Sequence, residues 1–199
     1  MVLAYHAIWG AYGFWLPNDP RGSWSEFVGS WELFRFGPAT KVHTARSLAR
    51  DEHDVARRLA AKSALKHPAV QLTGLQARAV GRAFAAAAAR IDLSVWACSI
   101  LPDHVHLVVG RHRHPVERIV RFLKAEATKA LRRQGLGPRV ADAAGDGAPV
   151  ARMWAKGFWK VFLDDPAGVR RAILYVRDNP LKEGRPVQRW SFVRAFDGA

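Results

Sequence analysis

The chain has 199 residues, 49% of them hydrophobic, and a formal net charge of +14 from 31 Lys and Arg against 17 Asp and Glu. This length predicts one sizeable hydrophobic core, and no stretch approaches the roughly 20 apolar residues that a transmembrane helix requires. The positive charge favours a polyanionic partner, nucleic acid first. A membrane surface is less favoured, because the basic residues are spread along the chain and not collected on one amphipathic helix. The alternative is an arginine-rich protein without such a partner.

Two features concern the cellular compartment. The N-terminal stretch MVLAYHAIWGAYGFW has neither the basic region nor the small-residue cleavage site of a signal peptide. Cys98 is the only cysteine, so it cannot form an internal disulfide, and we expect a small buried hydrophobic residue in a reducing compartment. The sequence therefore predicts a cytoplasmic protein.

The first third of the chain combines a strand with an irregular insertion. Residues 3–15 are rich in aromatic and β-branched side chains, which predicts a strand or hairpin arm, and LPNDPRGSW (16–24) interrupts it. Residues 17–50 show no regular period, and their aromatic side chains predict an ordered insertion packed on the core: Trp24, Trp31, Phe34 and Phe36. From Asp51 to about His67 the pattern is helical, with one stripe made of Val55, Leu59 and Ser63.

The middle of the chain has the clearest periodicity. TGLQ (73–76) fits a capping box, and helical spacing follows through Leu75, Ala79, Val80, Phe84 and Ala88. LSVWACSIL (93–101) and HVHLVVG (104–110) each predict a strand, and the tight turn Pro102-Asp103 between them predicts an antiparallel hairpin.

The last third begins with an amphipathic helix, predicted from Pro115 to about Arg133, whose buried face consists of Val116, Ile119, Val120, Leu123, Ala127 and Leu131. The Gly-, Ala- and Pro-rich residues 135–152 predict a flexible connector, and RMWAKGFWKVFL (152–163) has the character of a strand.

A final helix is predicted from Asp165, its N-cap, to Pro180, which is expected to close it. VQRWSFV (187–193) then predicts a short extended segment. This order of elements is typical of the α+β class, with an antiparallel sheet on which helices pack.

Two histidines stand in the middle of an apolar strand. Side chains alternate faces along a strand, so His104 and His106 project to the same side, where both imidazoles can converge on one metal ion. The alternative is a pair of buried histidines whose polar atoms are satisfied by hydrogen bonds. A second pair, His112 and His114, lies in a basic connector, where solvated histidines need no special explanation.

The final helix offers a third ligand and a nucleophile. Tyr175 and Asn179 are spaced i, i+4, so they lie on one helical face. The Asn179 amide oxygen suits a hard divalent cation, and a metal that polarises a phosphodiester makes a tyrosine an effective nucleophile. The alternative for Tyr175 is an amphipathic residue at the edge of the core.

Together these motifs resemble the single-tyrosine transposases of the HUH class, most closely the REP-associated tyrosine transposases of bacteria. The resemblance rests on LPDHVHLVV (101–109), the aromatic Trp154 with Phe158-Trp159, and YVRDNPLKEG (175–184). YGFWLPNDPRGSW (12–24) resembles the opening of one branch of the family, and RWSFV (189–193) resembles its tail loosely.

The resemblance implies a ferredoxin-like α+β fold of the HUH endonuclease type. It implies that His104, His106 and Asn179 hold Mg²⁺ or Mn²⁺, and that Tyr175 attacks the scissile phosphate of single-stranded, hairpin-forming repeat DNA. The attack would form a 5′-phosphotyrosine and free a 3′-OH, and a second 3′-OH would reverse the step. Two imidazoles also suit Zn²⁺. A single domain is expected, as a monomer or a homodimer, with an insertion at about 17–72 and the connector at about 135–152.

Basic residues flank the predicted site and are expected to follow a phosphate backbone while tryptophans stack on unpaired bases. They are Arg111, Arg113, Arg118, Arg121, Lys124, Lys156, Lys160, Arg170, Arg171 and Arg177. The simpler alternative is a solvated basic surface. Two other functions remain open: a hairpin DNA- or RNA-binding module that does not cut, and a metal-dependent nuclease that uses water as its nucleophile.

Overall fold

The computed structural model describes residues 1–17, 19, 28, 31–38, 52–137 and 152–198. These residues fall into two compact units. The larger comprises Met1–Trp9, Leu72–Gly137 and Phe158–Ala199, and the smaller comprises Gly10–Gln71 and Pro138–Gly157. Within the described residues, no helix is long and apolar enough to cross a membrane. Trp24 and most of the predicted connector lie outside the described residues.

The larger unit is built on a four-stranded sheet. Its strands are β1 (Ala4–Gly10), β2 (Val95–Ile100), β3 (His104–Gly110) and β4 (Trp159–Leu163), in the spatial order β2-β3-β1-β4. Strand β1 pairs antiparallel with β4, and β2 pairs antiparallel with β3 as the hairpin predicted from the sequence. The hydrogen bond from Arg111 N to Leu3 O joins the end of β3 to the start of β1.

Three helices pack on this sheet: α3 (Gly74–Ile91), α4 (Val116–Arg133) and α5 (Pro166–Lys182). Two earlier helices, α1 and α2, belong to the smaller unit. The order β1-α3-β2-β3-α4-β4, with β1 between β3 and β4, is the ferredoxin-like arrangement of two interleaved βαβ units. The predicted α+β class and antiparallel sheet are therefore confirmed, and α5 is an addition to the basic fold.

The sheet is covered on both faces, which explains why every residue of β3 is buried. On one face α3 packs against α4, and Trp9 of β1 meets Phe84 of α3 edge to face with ring centroids 5.9 Å apart. On the other face α5 presents Val169, Ala172 and Val176 to a cluster that includes Ala97 and Val108. Burial of each large apolar side chain contributes roughly 1.5–3 kcal/mol.

Helix boundaries follow the sequence signals at most ends. Thr73 and Gln76 form the predicted capping box at α3, with Thr73 N donating to Gln76 Oε1 at 2.8 Å. Asp165 caps α5 by accepting a hydrogen bond from Gly168 N at 2.8 Å. The helix after Pro115 begins and ends where the pattern predicts.

The predicted end of α5 at Pro180 is wrong, because the helix continues to Lys182. Proline has no N–H to donate to the carbonyl four residues earlier, which here belongs to Val176. The Ser99 hydroxyl of β2 donates to the Val176 carbonyl instead, so the acceptor is satisfied from the sheet. Asn179 and Pro180 are consequently buried helical residues.

The C-terminal segment lies along the outer edge of β2. The Gln188 side-chain amide exchanges two hydrogen bonds with the backbone of Ile100, both 2.8 Å long. Val193 makes a single parallel bridge to Val95, and Arg194 N donates to Val95 O. The extended segment predicted at 187–193 is therefore reduced to one bridging residue that covers an otherwise open sheet edge.

The smaller unit contains the short helices α1 (Trp31–Phe34) and α2 (Val55–Ser63), with a core of Leu16, Leu33 and Ala61. Phe36 packs on this core, whereas Trp31 and Phe34 are exposed, contrary to the prediction of a fully packed insertion. The helix predicted around Val55, Leu59 and Ser63 is present, but the apolar residues of this stripe are not buried. Val55 and Leu59 are about half exposed, and Ala61 is the buried residue of the helix. The strand predicted over residues 3–15 ends at Gly10.

Candidate metal and nucleophile site

His104 and His106 lie on β3, and both are buried, with 9% and 4% of their surfaces exposed. Their rings are 4.9 Å apart between centroids and nearly perpendicular. Alternation along the strand places both on the face covered by α5, as the sequence predicts. A buried polar pair in an apolar strand requires partners, and each ring has one.

The Nδ1 atom of each ring is held by a different side chain. His104 Nδ1 lies 2.7 Å from the Asp103 carboxylate, and His106 Nδ1 lies 3.0 Å from His6 Nε2 on β1. A neutral imidazole that donates from Nδ1 to a carboxylate has its lone pair on Nε2. His104 therefore presents Nε2 as its ligand atom, in the manner of histidines whose second nitrogen is held by an outer partner.

His6 was not among the site residues predicted from the sequence. Its ring stacks on that of His106 with centroids 5.3 Å apart, and only 8% of its surface is exposed. The residue occupies an alternating position of β1, so its direction is readable from the sequence. Its neighbour is not, because that depends on β1 lying beside β3 in the sheet.

Burial keeps the inner imidazoles neutral. It lowers the pKa of His6 to about 4. Burial also lowers the pKa of His106 well below its usual range, and repulsion from His104 and His6 in their protonated forms and from Lys182 adds to the effect. At neutral pH both rings are uncharged, which is the form in which an imidazole can bind a metal ion.

Tyr175 on α5 lies beside the histidines. Its ring meets those of His106 and His6 edge-on, with centroids 5.6 and 5.8 Å away. The side chain remains 40% exposed, so a substrate can reach it. Burial of the remainder raises its pKa, which keeps the hydroxyl protonated at neutral pH. Lys182 Nζ lies 4.0 Å from the ring centroid and brings a positive charge to the same place.

Asn179 lies one helical turn after Tyr175 and is 7% exposed. Its amide nitrogen is buried and has no hydrogen-bond partner within the described part of the chain. An orphaned buried amide requires an explanation, and a bound group beside it would supply one. The oxygen and nitrogen of an amide are assigned from their partners, so the polar atom facing inward can equally be the oxygen.

A carboxylate-rich cluster adjoins the histidine pair. Asp103, His104 and Glu183 each offer one ligand atom, and the three atoms lie within 4.8 Å of one another. Glu183 is exposed and follows the end of α5. The donors at this end of β3 therefore comprise imidazoles and carboxylates, a set that suits a divalent cation.

Most of the predicted nucleic-acid-binding residues are exposed: Arg111, Arg113, Arg118, Arg121, Lys156, Lys160, Arg170, Arg171 and Arg177. Two of these have acidic partners, since Lys160 pairs with Glu117 and Arg177 with Asp178. Lys124 differs from the rest, because it is largely buried and burial lowers its pKa to about 8.

No protein-family model matches the chain, and no curated protein matches it significantly. Two solved structures are similar in fold. One is a REP-associated tyrosine transposase bound to a REP hairpin, 12% identical over 92% of this chain and 68% of its own, with a TM-score of 0.49. The other, from Deinococcus radiodurans R1 and provisionally described as a transposase, is 12% identical over 94% of both chains, with a TM-score of 0.39. At this identity neither likeness assigns an activity.

Proposed function

We propose that the chain is a metal-dependent transposase-type enzyme that cleaves and rejoins single-stranded DNA through a covalent bond to Tyr175. The observation that carries the proposal is the position of Tyr175, a reachable hydroxyl-bearing side chain whose ring contacts the buried histidine cluster. All four motif residues carried over from the family resemblance lie on β3 and α5. Tyr175 is reachable, the pKa of His106 is low, and Asn179 offers a buried amide.

The chemistry assigned to Tyr175 is a transesterification. The phenol oxygen attacks the phosphorus, the new O–P bond forms, and the bond from phosphorus to the 3′-oxygen breaks. The phenol loses its proton as it attacks, and the departing 3′-oxygen gains one. Because the pKa of Tyr175 is raised, this proton must be removed during attack, and the ammonium of Lys182 stabilises the negative charge that develops on the oxygen.

The residues that would hold the cation are His104, His106 and Asn179. Mg²⁺ or Mn²⁺ bound there would supply Lewis-acid polarisation of the scissile phosphate. The His106 imidazole needs no proton release at neutral pH, since its pKa is already low. Glu183 would add a hard oxygen ligand of the kind that favours these ions over Zn²⁺.

The substrate class follows from charge and from the motif resemblance. A net charge of +14 favours a nucleic acid, and the resemblance to REP-associated transposases favours a hairpin-forming repeat in single-stranded form. Some exposed arginines have no acidic partner within their own helix. Two of them, Arg118 and Arg121 of α4, are proposed to contact the phosphate backbone. Tyr175 would then act on the strand that flanks the hairpin.

The test is a covalent-adduct assay on labelled single-stranded hairpin DNA with Mg²⁺ or Mn²⁺. Wild-type protein should yield an adduct that survives denaturing electrophoresis, and Tyr175→Phe should yield none while binding the hairpin nearly as well. Tyr5→Phe is the matched control, because Tyr5 packs against Phe162 with ring centroids 5.7 Å apart and does not contact the histidines. It should form adduct at the wild-type level.

Two outcomes would replace the proposal. Salt-sensitive hairpin binding without cleavage under either metal would identify a binding module. Cleavage that survives Tyr175→Phe and leaves free 5′-phosphate ends would identify a nuclease in which water is the nucleophile.

A further inference from the structure

His6 stands outside the ligand set but contacts it directly. Strand β1 lies next to β3, and His6 Nε2 is 3.0 Å from His106 Nδ1 in a buried contact between residues 100 positions apart in the chain. This is a hydrogen bond between two buried imidazoles whose rings stack with centroids 5.3 Å apart. One nitrogen therefore donates and the other accepts.

The direction of this hydrogen bond decides what His106 can do. If His6 Nε2 donates, then the His106 proton resides on Nε2 and that atom cannot bind a cation. If His106 Nδ1 donates, then the His106 lone pair resides on Nε2. The second arrangement gives His106 the same orientation as His104, whose Nδ1 lies 2.7 Å from the Asp103 carboxylate.

We propose that His6 is a positioning residue that accepts the Nδ1–H of His106 and so holds the His106 Nε2 lone pair in the candidate metal site. The proposal deepens the proposed function and rests on it for the identity of the site. Metal-binding histidines characteristically donate their second N–H to a fixed acceptor, and loss of such an acceptor weakens metal binding by 10- to 100-fold. Asp103 would fill this role for His104, and His6 fills it for His106.

The position of His6 links this role to the nucleophile. The His6 ring meets Tyr175 edge-on at 5.8 Å and stacks on His106 at 5.3 Å. One side chain thus fixes the ring of a ligand and packs against the proposed nucleophile. A residue there that only filled space would not discriminate between the tautomers of His106.

The direct test reads the tautomer of His106 in the metal-free protein by long-range ¹H–¹⁵N NMR on ¹⁵N-histidine-labelled chain, assigned with His106→Gln. The expected result is a proton on Nδ1, opposite to the tautomer that free histidine prefers. A proton on Nε2 of His106 would overturn the proposal. This measurement requires no variant of His6.

The second test uses two nearly isosteric replacements, His6→Gln and His6→Met. Glutamine places an acceptor oxygen where His6 has Nε2, whereas methionine fills the same space without a comparable acceptor. Titration calorimetry with MnCl₂ should show His6→Met weakened about 10- to 100-fold and His6→Gln close to wild type. Equal affinities in all three proteins, or equal losses in both variants, would contradict the assignment.

The two proposals can fail separately. Neither the tautomer nor Mn²⁺ affinity depends on DNA cleavage, so both can be read in Tyr175→Phe protein. If wild-type chain forms no adduct but His6→Met alone loses Mn²⁺ affinity, then the proposed function fails and the role of His6 stands. If adduct forms and His6→Met binds Mn²⁺ normally, then the reverse holds.

Discussion

Two histidine pairs with the same spacing lie eight residues apart in the chain, and they differ in their burial and in their hydrogen-bond partners. In the first, His104 and His106 are buried in a strand and their Nδ1 atoms meet the side chains of Asp103 and His6. In the second, His112 and His114 are half-buried in the segment between β3 and α4. Spacing alone therefore says little about function.

The two pairs differ in the groups to which their ring nitrogens are hydrogen-bonded. His112 Nε2 lies 2.9 Å from the Ile91 carbonyl, to which it can only donate, and its Nδ1 accepts from His114 N at 3.0 Å. Both nitrogens of His112 are thus committed to backbone groups, and no lone pair remains for a cation. In the first pair the outer partners engage only Nδ1, and on our proposal the two Nε2 atoms are left to bind a cation.

The largest expected effect separates the pairs directly. His106→Ala should weaken Mn²⁺ binding by more than about a hundredfold, because loss of a ligand exceeds loss of its outer partner. His112→Ala should leave Mn²⁺ affinity unchanged and lower the free energy of unfolding by about 1–2 kcal/mol, because two hydrogen bonds are lost. Titration calorimetry and urea denaturation of both variants give the answer. A His112→Ala protein with weakened Mn²⁺ binding would break the distinction.

Acid should destabilise the metal-free protein through His6 and His106. The pKa of His6 is about 4 in the folded chain, below the unfolded value of 6.5, and the pKa of His106 is shifted the same way. Below pH 6.5 the unfolded chain binds protons that the folded chain does not, so stability is complete above pH 6.5 and falls as the pH falls towards 4. At about 1.4 kcal/mol per pH unit, His6 alone contributes a loss of about 2 kcal/mol between pH 6.5 and 5.

Urea denaturation in EDTA from pH 7 to pH 5 measures this loss above the range in which carboxylates titrate. His6→Met should reduce the slope of stability against pH, since it removes one of the groups responsible. An unchanged slope in His6→Met would mean that His6 takes up its proton without unfolding.

The first pair was identifiable from the sequence, because alternation along a β-strand fixes which residues share a face. The same local regularity predicted the hairpin, the capping box of α3 and the bounds of α4. Tyr175 and Asn179 share a helical face for an equally local reason. These features depend on neighbours within about a dozen residues, where period and capping chemistry are informative.

What could not be predicted depends on contacts between distant residues. His6 meets His106 only because β1 lies next to β3, and strand order is not a local property. Pro180 was expected to end α5, but the donor that makes its position tolerable comes from Ser99, far away in sequence. Val55 and Leu59 show the same limit, since helical spacing predicted their helix but could not tell that both side chains stay about half exposed.

The smallest expected effect is the loss of stability on replacing Ser99, a residue next to the first histidine pair only. Ser99 is the cross-strand partner of His106, and its hydroxyl donates to the Val176 carbonyl of α5. It therefore connects β2, which pairs with the strand that carries the proposed ligands, to the helix that carries Tyr175. Ser99→Ala should lower the free energy of unfolding by about 1.5 kcal/mol, because a buried carbonyl loses its donor.

A double-mutant cycle with Pro180→Ala sharpens this prediction. Alanine at 180 restores an N–H that can reach the Val176 carbonyl within the helix, so Ser99→Ala should destabilise the Pro180→Ala protein less than it destabilises wild type. Ser63→Ala is the matched control, because Ser63 also donates to a helical carbonyl, that of Leu59, but in an exposed position where water can replace it. Equal losses in the two backgrounds would show that Ser99 does not stand in for the missing amide. The continuation of α5 past Pro180, and with it the placement of Asn179, would then need another physical cause.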